Sequence, residues 1–75
     1  MKAQRMNIHG LIVEALRRTQ KDANYHMDRG DYRKYIVALR RYQVCIHLYH
    51  VTKIGVTDYV IQDVKTIAHR AGVRI

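Results

Sequence analysis

Seven basic side chains are spaced so that they can grip phosphate: Arg17, Arg18 and Lys21 in one segment, and Arg33, Lys34, Arg40 and Arg41 in the next. At about 100° per residue the second group falls within roughly a third of a helix's circumference. If the chain turns at Asp28-Arg29-Gly30-Asp31, then Arg17, Arg18 and Lys21 stand about as far from the turn as Arg40 and Arg41, and an antiparallel hairpin joins these five into one cationic surface. Three of the six carboxylates, Asp28, Asp31 and Asp58, sit where a helix end explains them, by capping and by the helix dipole. Glu14 is at pairing distance from Arg17 or Arg18, whereas Arg40 and Arg41 have no carboxylate three or four residues away. Cations without local partners on a rigid surface neutralise backbone phosphates and release counterions. The same surface suits an acidic protein face, and the plain alternative is a solvated face that keeps a small protein soluble.

The six tyrosines, Tyr25, Tyr32, Tyr35, Tyr42, Tyr49 and Tyr59, are the only members of the Phe, Trp and Tyr group. Aromatic rings interleaved with arginine, as in YRKY (32–35) and RRY (40–42), can stack on unpaired bases, which makes Tyr25 and Tyr32 candidate aromatic contacts. The spacing of Tyr32, Tyr35, Tyr42 and Tyr49 with Leu39 and Ile46 is also that of a helix seam, with rings inside and hydroxyls at the edge. His47 and His50, three apart, and nearby Cys45 have the types of a metal site, but no second pair at ligand spacing accompanies them and a structural zinc needs four ligands. No metal and no cofactor is expected. Glu14 is the only Glu, no glycine-rich phosphate loop is present, and no nucleophile stands beside a base in a familiar setting. The chain is expected not to be an enzyme.

Positioning these side chains falls to a single small domain, 1–75. Hydrophobic residues make up 48% of the 75, and there is no Pro, so the chain is too apolar for a disordered tail and too free of breakers for a loop-rich fold. Fourteen Lys and Arg against six Asp and Glu give a net charge of +8, a strong positive field for so small a surface, which selects acidic partners. The single Cys45 rules out an internal disulfide and favours a reducing, cytoplasmic setting. The apolar run at 8–13 is interrupted by His9 and Gly10 and is too short for a signal peptide, and the uncharged run 43–52 is about half of a membrane span. A soluble, unprocessed protein with no membrane partner is the expectation.

Apolar or small residues at Ile8, Leu11, Ile12, Ala15, Leu16, Thr19, Ala23 and Met27 follow helical spacing and predict a helix over 8–29. Gly30 offers the left-handed residue that ends a helix, and Asp31 a cap for the next. The second helix is predicted at 32–52 with two apolar stripes: Tyr32, Tyr35, Ile36, Leu39, Tyr42, Ile46 and Tyr49 in one, and Val37, Val44, Leu48 and Val51 in the other. Two stripes imply two neighbours. Lys53-Ile54-Gly55 ends it, Thr57 or Asp58 caps a third helix at 58–71, and Val60, Ile61, Val64, Ile67, Ala68 and Ala71 line one face. At about 1.5 Å per residue the third helix is too short to cover the second and should meet its C-terminal half. The fold class is therefore all-α, a small up-down-up three-helix bundle built on a long antiparallel αα-hairpin. Its core is small enough that a homodimer burying further apolar area is compatible with the pattern.

The segment TIAHRAGV (66–73) resembles the end of the first helix and the turn of the helix-turn-helix in tetracycline-repressor-like and lactose-repressor-like DNA-binding domains. Only Arg74 and Ile75 follow it here, with no recognition helix, so it is expected to act as a helix end, Gly72 as the stop and Val73 packing back. GDYRKYIVALRRY (30–42) is similar to the turn and second helix of tetratricopeptide repeats and to the first turn of the microtubule-interacting-and-transport domain, which supports the αα-hairpin. Together these features lead to an expectation of a non-enzymatic basic protein that binds nucleic acid through phosphates. The alternative is a small modulator or inhibitor, of the kind encoded by phages and mobile elements, that occupies an acidic surface of a host protein or of a nucleic-acid-processing complex.

Overall fold

The computed structural model describes residues 7–55 and 57–75, so the basic start at residues 1–6 lies outside the described residues. Three helices follow in order: α1 (Ile8–Asp28), α2 (Tyr32–Lys53) and α3 (Asp58–Arg70). Each begins at a capping side chain. Asn7 accepts from the Gly10 N–H, Asp31 from the Lys34 N–H and Thr57 from the Val60 N–H, satisfying donors that a helix start leaves free. The fold is the all-α hairpin-based bundle that the spacing predicts.

Helix ends are set by glycine. Gly30 has φ +72, its N–H bonds the Met27 carbonyl at 3.0 Å, and the Asp31 N–H reaches back to the His26 carbonyl at 3.0 Å. This paired closure ends α1. Asp31 then starts α2 with its side chain, so one residue serves both helices. The same closure ends α3: Gly72 N–H to the His69 carbonyl at 3.0 Å and Val73 N–H to the Ala68 carbonyl at 2.8 Å, with Gly72 at φ +80 and Val73 buried. TIAHRAGV thus functions as a helix end, with Val73 packing back as expected.

The seam of the hairpin differs from the expected one. On α2 the buried positions are Ala38, Cys45, Leu48 and Thr52, while Tyr32 and Ile36 of the expected tyrosine seam are 64% and 51% exposed. The buried positions of α1 are Ile8, Ile12, Ala15, Thr19 and Ala23. Small residues dominate both inner faces, which allows the helix axes to approach closely. A tyrosine ring is too long for that gap, so α2 turns its small residues inward and lays the rings along the flank. Of the second expected stripe only Leu48 is buried; Val44 packs against the core, and Val37 and Val51 remain exposed.

Buried hydroxyls in this seam are satisfied within their own helices. Thr19 donates to the Ala15 carbonyl at 2.9 Å and Thr52 to the Leu48 carbonyl at 2.8 Å. The Thr52 oxygen then accepts from His9 Nδ1 at 2.8 Å, a link between the start of α1 and the end of α2 at the open end of the hairpin. Burial pushes the Cys45 thiol above its ordinary pKa, opposed by a hydrogen bond with Thr19 and by the charge of Arg18.

α3 covers one end only. Val64, Ala68 and Val73 join Ile8, Ile12, Ala15, Cys45 and Leu48 in a single apolar cluster, so the C-terminal half of α2 and the N-terminal half of α1 receive the third helix. Fully burying a side chain such as Ile12, Leu48 or Val64 contributes about 1.5–3 kcal/mol. Towards the Gly30 turn the hairpin buries only Ala23 and Ala38.

A candidate polyanion-binding face

Where α3 ends, cations gather. The Gly72 turn lies directly over the Arg41 guanidinium: a Cβ at Gly72 would fall 3.0 Å from Arg41 Nε and 3.1 Å from Nη2. Glycine is therefore required there twice, for its positive φ and for the close approach. Beneath this roof Arg41 Nε is buried without a hydrogen-bond partner. On the other side of the turn Arg18 Nη2 donates to the Arg74 carbonyl at 2.8 Å. The last residues of the chain are thus held between an arginine of α1 and an arginine of α2.

Three recesses meet at Arg41. One of about 440 Å³ is lined by Arg18, Lys21, Arg41 and Arg74, with Asp22 as its only carboxylate. A second, of about 470 Å³, adds Arg33 and Lys34 towards the hairpin turn, again with Asp22 and with His26. A third, of about 340 Å³, adds Arg40 and Arg70. The three together hold eight cations, Arg18, Lys21, Arg33, Lys34, Arg40, Arg41, Arg70 and Arg74, and one carboxylate. The only ion pair among the described residues is Lys34 with Asp31, at 3.9 Å and exposed, and a pair of that kind contributes little. Apart from that pair, from Arg18 Nη2, which the Arg74 carbonyl occupies, and from the buried Arg41 Nε, the guanidinium and ammonium donors of this face have no ion-pair partner among the described residues.

Six of the seven basic residues expected from the sequence line these recesses. Arg17 does not: it is exposed, half a turn round α1 from the buried Thr19 side, and points away from α2. Arg70 and Arg74 were not among the expected residues. The signal for them was the Gly72 stop, which fixes where α3 ends but not what it ends against.

The tyrosines are not interleaved with these cations. Tyr25 is 52% exposed near the hairpin turn, with Arg29 4.7 Å from its ring centre and His26 edge-on at 5.2 Å. Tyr32 lies half a turn from Arg41 around α2, on the opposite side of the hairpin. Cys45 is in the core, whereas His47 and His50 are exposed, so these three do not converge. Among the described residues no group of three or more His, Cys, Asp or Glu is placed to hold a metal ion. No described helix is long and apolar enough to cross a membrane.

Fold and site together define a small, strongly basic, all-α hairpin protein with a cationic face beside its third helix. No protein-family model, no curated protein and no solved structure matches this chain.

Proposed function

We propose that this protein binds nucleic acid, engaging backbone phosphates with the face centred on Arg41. The observation that carries the reading is the gathering of eight cations around one carboxylate on a rigid helical surface, with a single weak ion pair nearby. Charge left unpaired across so small an area costs self-repulsion, and a polyanion relieves it. Arginine predominates over lysine, six to two, which suits the bidentate geometry of phosphate. From Arg33 to Arg41 the face runs about 12 Å along α2, enough for about three to four phosphates of one strand. Contacts to backbone phosphates carry no sequence information, so binding through this face is tolerant of sequence.

Fluorescence anisotropy of labelled duplex DNA, single-stranded DNA and RNA, titrated at several salt concentrations, tests this. The expected result is affinity that falls log-linearly with salt, with a slope of about −3 on duplex DNA and a shallower one on single strands. Absence of binding to all three at low salt overturns the proposal and transfers the face to an acidic protein surface, where Tyr25 and the arginines become the expected hot spots.

A further inference from the structure

On the side of the hairpin away from α3, helix α2 carries a second seam that the described chain covers only in part: Tyr32 is exposed, and Tyr35, Leu39, Tyr42, Ile46 and Tyr49 are half-buried. Tyr32, Tyr35, Leu39, Tyr42, Ile46 and Tyr49 are spaced three, four, three, four and three residues apart, the strict alternation of a helix that packs lengthwise on another helix. The buried positions Ala38, Cys45, Leu48 and Thr52, with the half-buried Arg41 between them, follow the same alternation on the neighbouring sector. The inner seam meets α1 and α3. The outer seam has α1 only along its edge, where His9 and Tyr49 rings lie 5.0 Å apart.

We propose that this outer seam pairs with the same seam of a second copy of the chain, two hairpins joining face to face into a four-helix bundle with both α3 helices outside. Three features select a second copy. Spacing is the first: a seam in heptad register fits another helix, and the positions from Tyr32 to Tyr49 are balanced about a point between Leu39 and Tyr42. A two-fold axis there sets Tyr32 opposite the partner's Tyr49 and Leu39 opposite the partner's Tyr42 in an antiparallel, self-complementary contact.

Charge is the second. Between Tyr32 and His50 this sector of α2 holds no Lys, Arg, Asp or Glu, and the adjoining flank of α1, with Val13, Leu16 and Gln20, holds none; the one cation at seam spacing is Lys53 at its far end, 5.8 Å from the Tyr49 ring centre. On a chain of net charge +8, it is where two like-charged copies can meet with most of their cations turned outward. Area is the third. A face about 30 Å long and two helices, about 20 Å, wide offers about 600 Å² per copy, and about 1,200 Å² for the pair reaches the range of specific interfaces. The monomer's own core, built largely from small residues, gains what it lacks from this contact.

Sedimentation velocity of the purified protein, up to about 200 µM in view of the modest area, reads the association directly. The expected result is a reversible dimer that strengthens as salt rises, because screening removes like-charge repulsion while apolar burial persists. Tyr32→Lys with Ile36→Lys places two new charges per copy at positions already more than half exposed in the monomer. This double variant should weaken the dimer at least about a hundredfold and leave the helix content by circular dichroism unchanged. A monomer at every concentration, or a dimer that the double variant leaves intact, overturns the proposal. Neither result depends on whether the cationic face binds nucleic acid.

Discussion

The two sides of the αα-hairpin leave different things unsatisfied. Beside the end of α3, eight cations share one carboxylate around the buried Nε of Arg41. On the other side, six apolar side chains of α2 run in heptad register with no charge among them. Both sides are built by the same helix, whose inner stripe of Ala38, Cys45, Leu48 and Thr52 is spent on the core. A helix whose surface is divided in this way has sorted its unmet interactions by type: charge to one side, apolar area to the other. The consequence is that the two proposed roles of the surface, binding a polyanion and pairing with a second hairpin, can be altered separately.

Charge reversal is the strongest way to break the contrast. Arg40→Glu with Arg41→Glu should reduce affinity for every nucleic acid at least about a hundredfold at low salt and flatten the salt slope by about two or more. Tyr32→Ala and Ile36→Ala, on the other side, should leave that affinity unchanged in the same anisotropy titration. Equal losses from both sets would show that the two sides act as one surface.

The next effect separates the two turns that end α1 and α3. Gly30→Ala forces a left-handed Ala into open space and should cost about 1–2 kcal/mol. Gly72→Ala carries the same backbone cost and also crowds Arg41 Nε at 3.0 Å, so urea denaturation should show it to be the more destabilising of the two. A smaller effect lies in the core under both sides. The Cys45 thiol has a raised folded-state pKa, so the neutral form is favoured by folding, and that contribution is complete below the ordinary value of 9.0 and is lost as pH rises through the folded-state value. Stability should therefore decline more steeply above about pH 9 in the native protein than in Cys45→Ala, measured as the slope of unfolding free energy against pH.

Much of the architecture is legible without coordinates because it rests on local rules. Asn7, Asp31 and Thr57 cap, and Gly30 and Gly72 stop, through interactions confined to a few consecutive residues. Even the short reach of α3 follows from length alone. The basic residues could be assigned to faces for the same reason, since side-chain direction repeats along a helix.

Local pattern along the chain thus accounts for the set of helices, their ends, and the separation of charged from apolar sectors on α2. Packing between the helices selected which apolar sector became the inside. Tyrosine and isoleucine offer more apolar area to bury than alanine, yet two helices in close contact admit small side chains and exclude rings, a constraint that belongs to the pair of surfaces and to neither alone. Arg70 and Arg74 joined the cationic face for a related reason: the Gly72 turn came to rest on Arg41, residues 31 positions apart in sequence, and no local rule encodes a contact made by packing across the bundle.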